Sequence, residues 1–422
     1  MTSAANGLIR DGALRVIQGV VAIHDPCTRQ NVDLGPSDAA LIGAVHGRFE
    51  EVLPPGSTVR SPGGRSVTVA DVHNARIVRS RFAFGYQPFD EPKLRLLREK
   101  FQLDRVLATS YSELETLVRV RSWVRSLYRR NDFQDKLTNF NALELPLVLE
   151  RGPTYVTRAS DPSDPYDPCH FFPLLYAQLV ASLGFEARVV SVGHGVIEVW
   201  SNQFAKWVLM DAEFDHHFEK NGVPLNAVEL LEENYGTGEG VELVHGRRYP
   251  MPENLTMVHL KVDHLTASEC ITWFNAPIEI ADLRNDWLTN HYFPGHPRRS
   301  ELNSLVYLDP RVDFSGEVTF RNRMRPIVND KSEMYWTLNQ AEVHVRSWLE
   351  DDLELEFETV TPNFQSFEVV VDGRELSRLD SSRYRWRLHE GTNTLVARPV
   401  NKFGTVGIES TIALQVSPER AL

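Results

Sequence analysis

Only three cysteines occur in 422 residues, Cys27, Cys169 and Cys270, so the chain is no disulfide scaffold and keeps at least one thiol free. It also lacks any apolar run near the roughly 18–20 residues that a spanning helix needs, so no membrane partner is expected. Long Lys/Arg runs are missing too. The basic clusters are short, such as Pro297-Arg298-Arg299 and His245-Gly246-Arg247-Arg248, against a formal net charge of -12. Such a chain repels phosphate backbones and anionic surfaces, which excludes nucleic acid as a partner. No internal repeat, low-complexity tract or secretory apolar region is present. Residues 1–19 mix Asn6, Arg10, Asp11 and Arg15 into their apolar positions, so a cytoplasmic location is expected, or an exported one if a leader has been removed. What is present is ordinary for a protein with a real core: 42% hydrophobic and 24% charged residues. The length suggests roughly two to four domains.

The pattern along the chain divides it into three. Residues 1–100 read as a β-rich accessory region, with period-two alternation over Ser66–Val72 and turns at Pro54-Pro55-Gly56 and Pro62-Gly63-Gly64. Residues 101–335 form a mixed core. Ser112 with Glu115 fits a capping box ahead of a helix carrying Leu114, Leu117, Val118 and Val124. A second helix is expected from Cys169 to Gly184, then strands at 187–192, 195–200 and 206–210. From 336 to 422, six short strands separated by turns such as Asp372-Gly373 and Glu390-Gly391 predict a β-sandwich.

A nucleophilic thiol needs a lowered pKa, a base and a group that orients the base. Cys169 opens a predicted helix behind Asp167 and Pro168, where unpaired N–H groups and the helix dipole favour thiolate. His194 enters the strand Gly195–Trp200. Pairing Trp200 with Trp207 across a hairpin puts Val196 opposite Asp211, so His194 becomes a diagonal neighbour of Asp211 on one face. The bland readings are core packing for Cys169, a structural imidazole for His194 and a strand-ending turn for Asp211. Cys27 repeats Asp-Pro-Cys without a helical pattern behind it and reads as core or turn. His216-His217 suggests a metal, yet neighbours on a strand face opposite ways, so no metal and no cofactor are expected.

The order Cys169, Leu183-Gly184-Phe185-Glu186-Ala187-Arg188-Val189-Val190, His194-Gly195-Val196-Ile197-Glu198-Val199-Trp200 and Lys206-Trp207-Val208-Leu209-Met210-Asp211 resembles the transglutaminase-like superfamily over residues 110–236. That resemblance implies an α+β fold with a papain-related core, here with the N-terminal β-rich region and a C-terminal immunoglobulin-like sandwich. It implies a Cys169, His194, Asp211 triad acting by acyl transfer or hydrolysis at an amide or peptide bond through a thioester. Pro168, His170 and Gly195-Val196 depart from the residues common in the family. Candidate substrate-contacting residues are Asn139 and Asn141 (either one an oxyanion donor), His170, Glu198, His216 and His291; Glu198 and Trp200 also read as structural supports. The expected substrate is a peptide or protein amide, or alternatively a polysaccharide lined by Asn290–His296. A third reading keeps the fold as a non-catalytic binding module.

Overall fold

The computed structural model describes residues 13–17, 20–24, 31–33, 46–126, 168–192, 194–246, 266–272, 274, 277–281, 283–285, 304–311 and 325–418. Helices and strands are mixed along it, an α+β composition. Two compact units result: residues 1–77 with 337–422, and residues 78–336 as an insertion between those segments.

The first segment supplies a three-stranded antiparallel sheet, β1 (Ala13–Ile17), β2 (Val20–His24) and β3 (Asn31–Asp33). It continues with β4 (Gly47–Arg48), the short α1 (Phe49–Val52), β5 (Thr58–Arg60) and β6 (Ser66–His73).

The inserted unit opens with helices α2 (Pro92–Lys100), α3 (Asp104–Thr109) and α4 (Glu113–Ser126). Ser112 caps α4 by accepting the Glu115 N–H at 3.1 Å, and the Glu115 carboxylate reaches back to the Tyr111 N–H at 2.6 Å, one residue beyond a standard capping box. Helix α5 (Pro168–Ser182) packs against α2 and α4 on one side and against β7 (Ala187–Ser191) and β8 (Gly195–Ser201) on the other. Phe172, Leu175, Tyr176, Leu179 and Val180 form its buried face, while Leu174 and Gln178 on the other side are only partly buried. Pro173 lies inside it and removes the N–H that would bond the Cys169 carbonyl, so the first turn is held more loosely than the rest. Gly184, at φ 88°, ends the helix in the left-handed region that other residues avoid.

Strand β9 (Lys206–Met210) pairs antiparallel with β8 in the register Trp200 opposite Trp207 and Ile197 opposite Met210. The chain then builds β10 (His216–Lys220), β11 (Val223–Pro224), α6 (Ala227–Tyr235) and β12 (Val241–His245). Asn226 and Glu229 form a reciprocal capping box on α6. After α7 (Ala267–Ile271), strands β13 (Ile278–Ile280), β14 (Leu305–Tyr307) and β15 (Ile327–Val328) complete a six-stranded sheet in the order β15-β14-β13-β7-β8-β9.

The remaining strands are β16 (Glu342–Leu349), β17 (Asp352–Glu358), β18 (Phe364–Val371), β19 (Arg374–Leu379), β20 (Arg383–Arg387), β21 (Gly391–Asn401) and β22 (Ser410–Val416). They form one sheet ordered β20-β17-β16-β4 and another ordered β19-β18-β21-β22-β6-β5, closed on a shared core including Phe49, Val67, Val69, Leu355, Phe367 and Leu414. Two sequence expectations change here. Residues 46–77 are not a separate accessory region, since β6 pairs with β22, Val69 opposite Leu414, and Val67 and Val69 fill the sandwich core. Strand β19 was also not expected; it follows a two-residue hairpin turn at Asp372 (φ 50°) and Gly373 (φ 72°), the left-handed pair such turns require. Among the described residues no helix is long and apolar enough to cross a membrane.

Candidate active site

His194 sits at the tip of the β7–β8 hairpin, where Ser191 pairs with Gly195 and the Val192 N–H donates to the His194 carbonyl at 3.0 Å. Asp211 follows β9 and pairs through its backbone with His216, the first residue of β10. The tight turn between them ends on Asp215 at φ 55°.

That turn makes Asp211 a bifunctional residue. Its Oδ1 accepts the N–H groups of Glu213 and Phe214, both at 2.9 Å, which pins the carboxylate rotamer. Its Oδ2 then faces His194 Nε2 at 3.0 Å, with His216 Nε2 at 3.6 Å. The turn-forming reading and the orienting reading are thus both true of one side chain. Burial alone would raise the Asp211 carboxyl, but the His194 and His216 rings, the His194 hydrogen bond and the Phe214 N–H together hold it at about 2. It is an anion at neutral pH, so the proton between the pair belongs to His194 Nε2, and Nδ1 is the basic nitrogen of that ring. Glu213 Oε2 lies 3.6 Å from that Nδ1, and the Phe214 ring packs against the imidazole at 5.3 Å.

His216 is 1% exposed and lies between the rings of Phe214 and Phe218. Burial lowers its pKa to about 4, with Arg121, His245 and His194 adding to the effect and Asp211 opposing it. It is therefore neutral and enclosed, a neighbour of Asp211 rather than a wall of a cleft, which corrects its place among the substrate-contacting candidates.

A second network fixes the turn from the helical side. Arg121 on α4 is fully buried and donates to Asp215 Oδ1 at 3.0 Å and to the Asp215 carbonyl at 3.2 Å. Ser122 Oγ donates to the same carboxylate at 2.8 Å. Another Arg121 N–H meets His217 Nδ1 at 2.9 Å, so that nitrogen must accept and His217 donates from Nε2 to Glu219 at 2.9 Å. His216 and His217 face opposite sides of β10, as adjacent strand residues do. A Cβ at Gly246 would lie 2.3 Å from Asp215 Oδ1, so only glycine lets the strand end approach this carboxylate. None of these partners is read from the sequence; the signal available was Arg121 falling at helical spacing on the apolar stripe of Leu114, Leu117, Val118 and Val124.

Glu198 is also corrected. It is fully buried, its Oε2 accepting from Arg188 at 2.6 and 3.0 Å and its Oε1 from the Ala227 N–H at 2.8 Å and Tyr335 at 2.9 Å. With both oxygens occupied it offers nothing to a substrate. The Arg188 guanidinium lies 4.2 Å from the Trp207 ring centroid and 4.8 Å from that of Trp336. Trp200 is buried against Trp207.

Cys169 is the second residue of α5. Its side chain and that of His170 lie outside the described residues, as do Asn139, Asn141 and His291. The site as described therefore joins His194, Asp211, Glu213 and His216. Among the described residues no group of three or more His, Cys, Asp or Glu is arranged to hold a metal ion. No family model matches the chain, and no curated protein or solved structure proves similar to it.

Proposed function

We propose that the chain is a cysteine-dependent enzyme of the transglutaminase-like kind, with a papain-related core, acting at an amide or peptide bond through a thioester. The observation that carries this reading is the His194–Asp211 pair: a buried anion, locked by its own turn, keeps the proton on Nε2 and the lone pair on Nδ1. That is the ring state a general base needs. Cys169 belongs to the first turn of α5, where the helix dipole favours a thiolate.

The Cys169 sulfur attacks the substrate carbonyl while its proton moves to His194 Nδ1. As the tetrahedral intermediate collapses, the C–N bond breaks and His194 returns that proton to the leaving amine. Water, or a second amine, then attacks the thioester; His194 takes the attacking group's proton and delivers it to the departing sulfur. The pairing of two sheets around an apolar core also supports reading the other unit as an immunoglobulin-like module.

The test is alkylation of the native chain by iodoacetamide near neutral pH, followed residue by residue by mass spectrometry. Cys169 should react well before Cys27 and Cys270. Cys270 is an internal control, because burial, with Asp211 and Glu269 nearby, pushes its thiol up to about 11. Slow labelling of Cys169 at the rate of Cys270 would overturn the assignment.

A further inference from the structure

At the far end of α5 from Cys169, in the same unit, a cavity of about 10 Å³ is walled by Ala177, Ala181, Gln178, Gln87, Asn285 and Glu186. That is room for the centre of one water-sized sphere. Three chain segments meet there. The Gln87 amide donates to the Asn285 carbonyl, and Asn285 Nδ2 donates to the Ala187 carbonyl at 3.1 Å, which aligns the amides around the opening. Two acceptors remain. Glu186 is 6% exposed, and among the described residues its carboxyl has neither a hydrogen-bond nor an ionic partner. Asn285 is 4% exposed, and its Oδ1 has no hydrogen bond there either.

Among the described residues, other buried carboxylates of this unit have partners, such as Asp211 with His194, Glu198 with Arg188 and Glu219 with His217. Glu186 is the exception. The charged and titratable groups near it do not answer it. Tyr86 is beside it but is kept neutral by burial, its oxygen accepting from Trp336 at 2.8 Å; Arg188 is committed to Glu198, and Arg284 has other partners. A buried, unpaired anion is costly, so the carboxyl either keeps a proton or takes a counter-ion.

We propose that this cavity is a monovalent-cation site, in which an ion of water's size, potassium or ammonium, binds between the ionised Glu186 carboxylate and Asn285 Oδ1. A bound water would hydrogen-bond both acceptors yet leave the charge unanswered, so water suits only the protonated form. One carboxylate neutralises a monovalent ion but leaves calcium or magnesium, which are held by several charged oxygens or keep several waters, with charge uncompensated. Cation and proton therefore compete for one place. Burial pushes the Glu186 carboxyl up to about 8, so the exchange falls near that pH.

The experiment is a set of thermal melts of the full chain in potassium chloride and in tetramethylammonium chloride at matched ionic strength, the second cation being too large to enter. About one unit above the carboxyl's midpoint, potassium should raise the melting temperature by roughly 3 °C, since a ligand of the native state alone stabilises it. About two units below the midpoint the two salts should give the same value, because the proton occupies the carboxyl. Glu186→Gln should show no difference between salts at either pH. Equal melting in both salts at the higher pH overturns the proposal and leaves a water site only. So does a potassium effect of equal size at both pH values, which would mark a general salt response. The wild-type arms decide the matter even if the variant folds poorly, and neither depends on Cys169 being a nucleophile.

Discussion

The two units handle charge in opposite ways. In the sandwich, strand β17 alternates acidic residues outward and Leu353, Leu355 and Phe357 inward. Its acidic row meets a basic row on β20, with Asp352 opposite Arg387, Glu354 opposite Arg385 and Glu356 opposite Arg383. Those charges stay at the water boundary, where they set register and discourage edge-to-edge pairing without carrying much energy. The inserted unit does the reverse. Arg121, Arg188, Glu198, Asp211, His216 and His217 are each at most 1% exposed. Burying ions is a poor way to gain stability, because desolvation offsets most of the attraction. The difference teaches where the molecule needs fixed geometry: at the turn carrying Asp211 and in the sheet beneath it.

The largest test of that contrast is Asp211→Asn. The Glu213 and Phe214 N–H groups require an acceptor at Oδ1, so the new amide must turn its NH2 toward His194. Nε2 then has to accept, the ring proton moves to Nδ1, and that nitrogen can no longer take the thiol proton. Turnover on any substrate found should fall by about 10³–10⁴ while the fold survives, as in serine triads. Full turnover in the folded variant would remove Asp211 from the site. Next in size, Arg188→Met strands Glu198 without its cation and should cost about 3–5 kcal/mol in denaturant unfolding. Adding Glu198→Leu should recover much of that loss; if it does not, the pair holds the sheet by more than its charges.

Glu186 gives a pH-dependent test. Its folded pKa of about 8 lies above the unfolded 4.5, so its contribution to stability is complete below 4.5 and is lost as pH rises to 8. In a buffer without small cations, unfolding free energy should drop by roughly 3–5 kcal/mol across that window. Glu186→Gln should remove this drop and be the more stable protein at the upper end. An unchanged pH profile would mean that the carboxyl is solvated. The smallest effect belongs to the sandwich. Arg385→Ala breaks a 2.8 Å pair with Asp352, but the arginine is about half exposed, so the loss should stay below about 1 kcal/mol and shrink with added salt. A loss as large as that of Arg188→Met would erase the distinction between the units.

Much of the local architecture was legible because it is written in short periods. The helix from Pro168, its stop at Gly184 and the hairpin register of Trp200 with Trp207 all follow from patterns spanning a dozen residues. That register alone predicts that His194 and Asp211 meet. What was not legible depends on distance along the chain. The strand Ser66–His73 looked self-contained, yet its partner is Ser410–Val416. Arg121 and Asp215 are 94 residues apart, and nothing in a helical stripe announces which turn a buried arginine will hold. Glu198 was half right: its role as a support is plain once both oxygens are seen to be taken, whereas contact with a substrate is not available to it.

The pairing of β6 with β22 has a consequence for biosynthesis. Thr68 lies opposite Gln415, so everything between these two residues must leave the ribosome before that ladder can form. The inserted unit emerges complete long before and can fold during translation, while β5 and β6 wait with an open edge and unburied valines. The waiting hairpin thus exposes apolar residues that a chaperone would shield until its partner strand arrives. A truncated product ending before residue 410 would present a finished insert attached to an unfinished, sticky sheet.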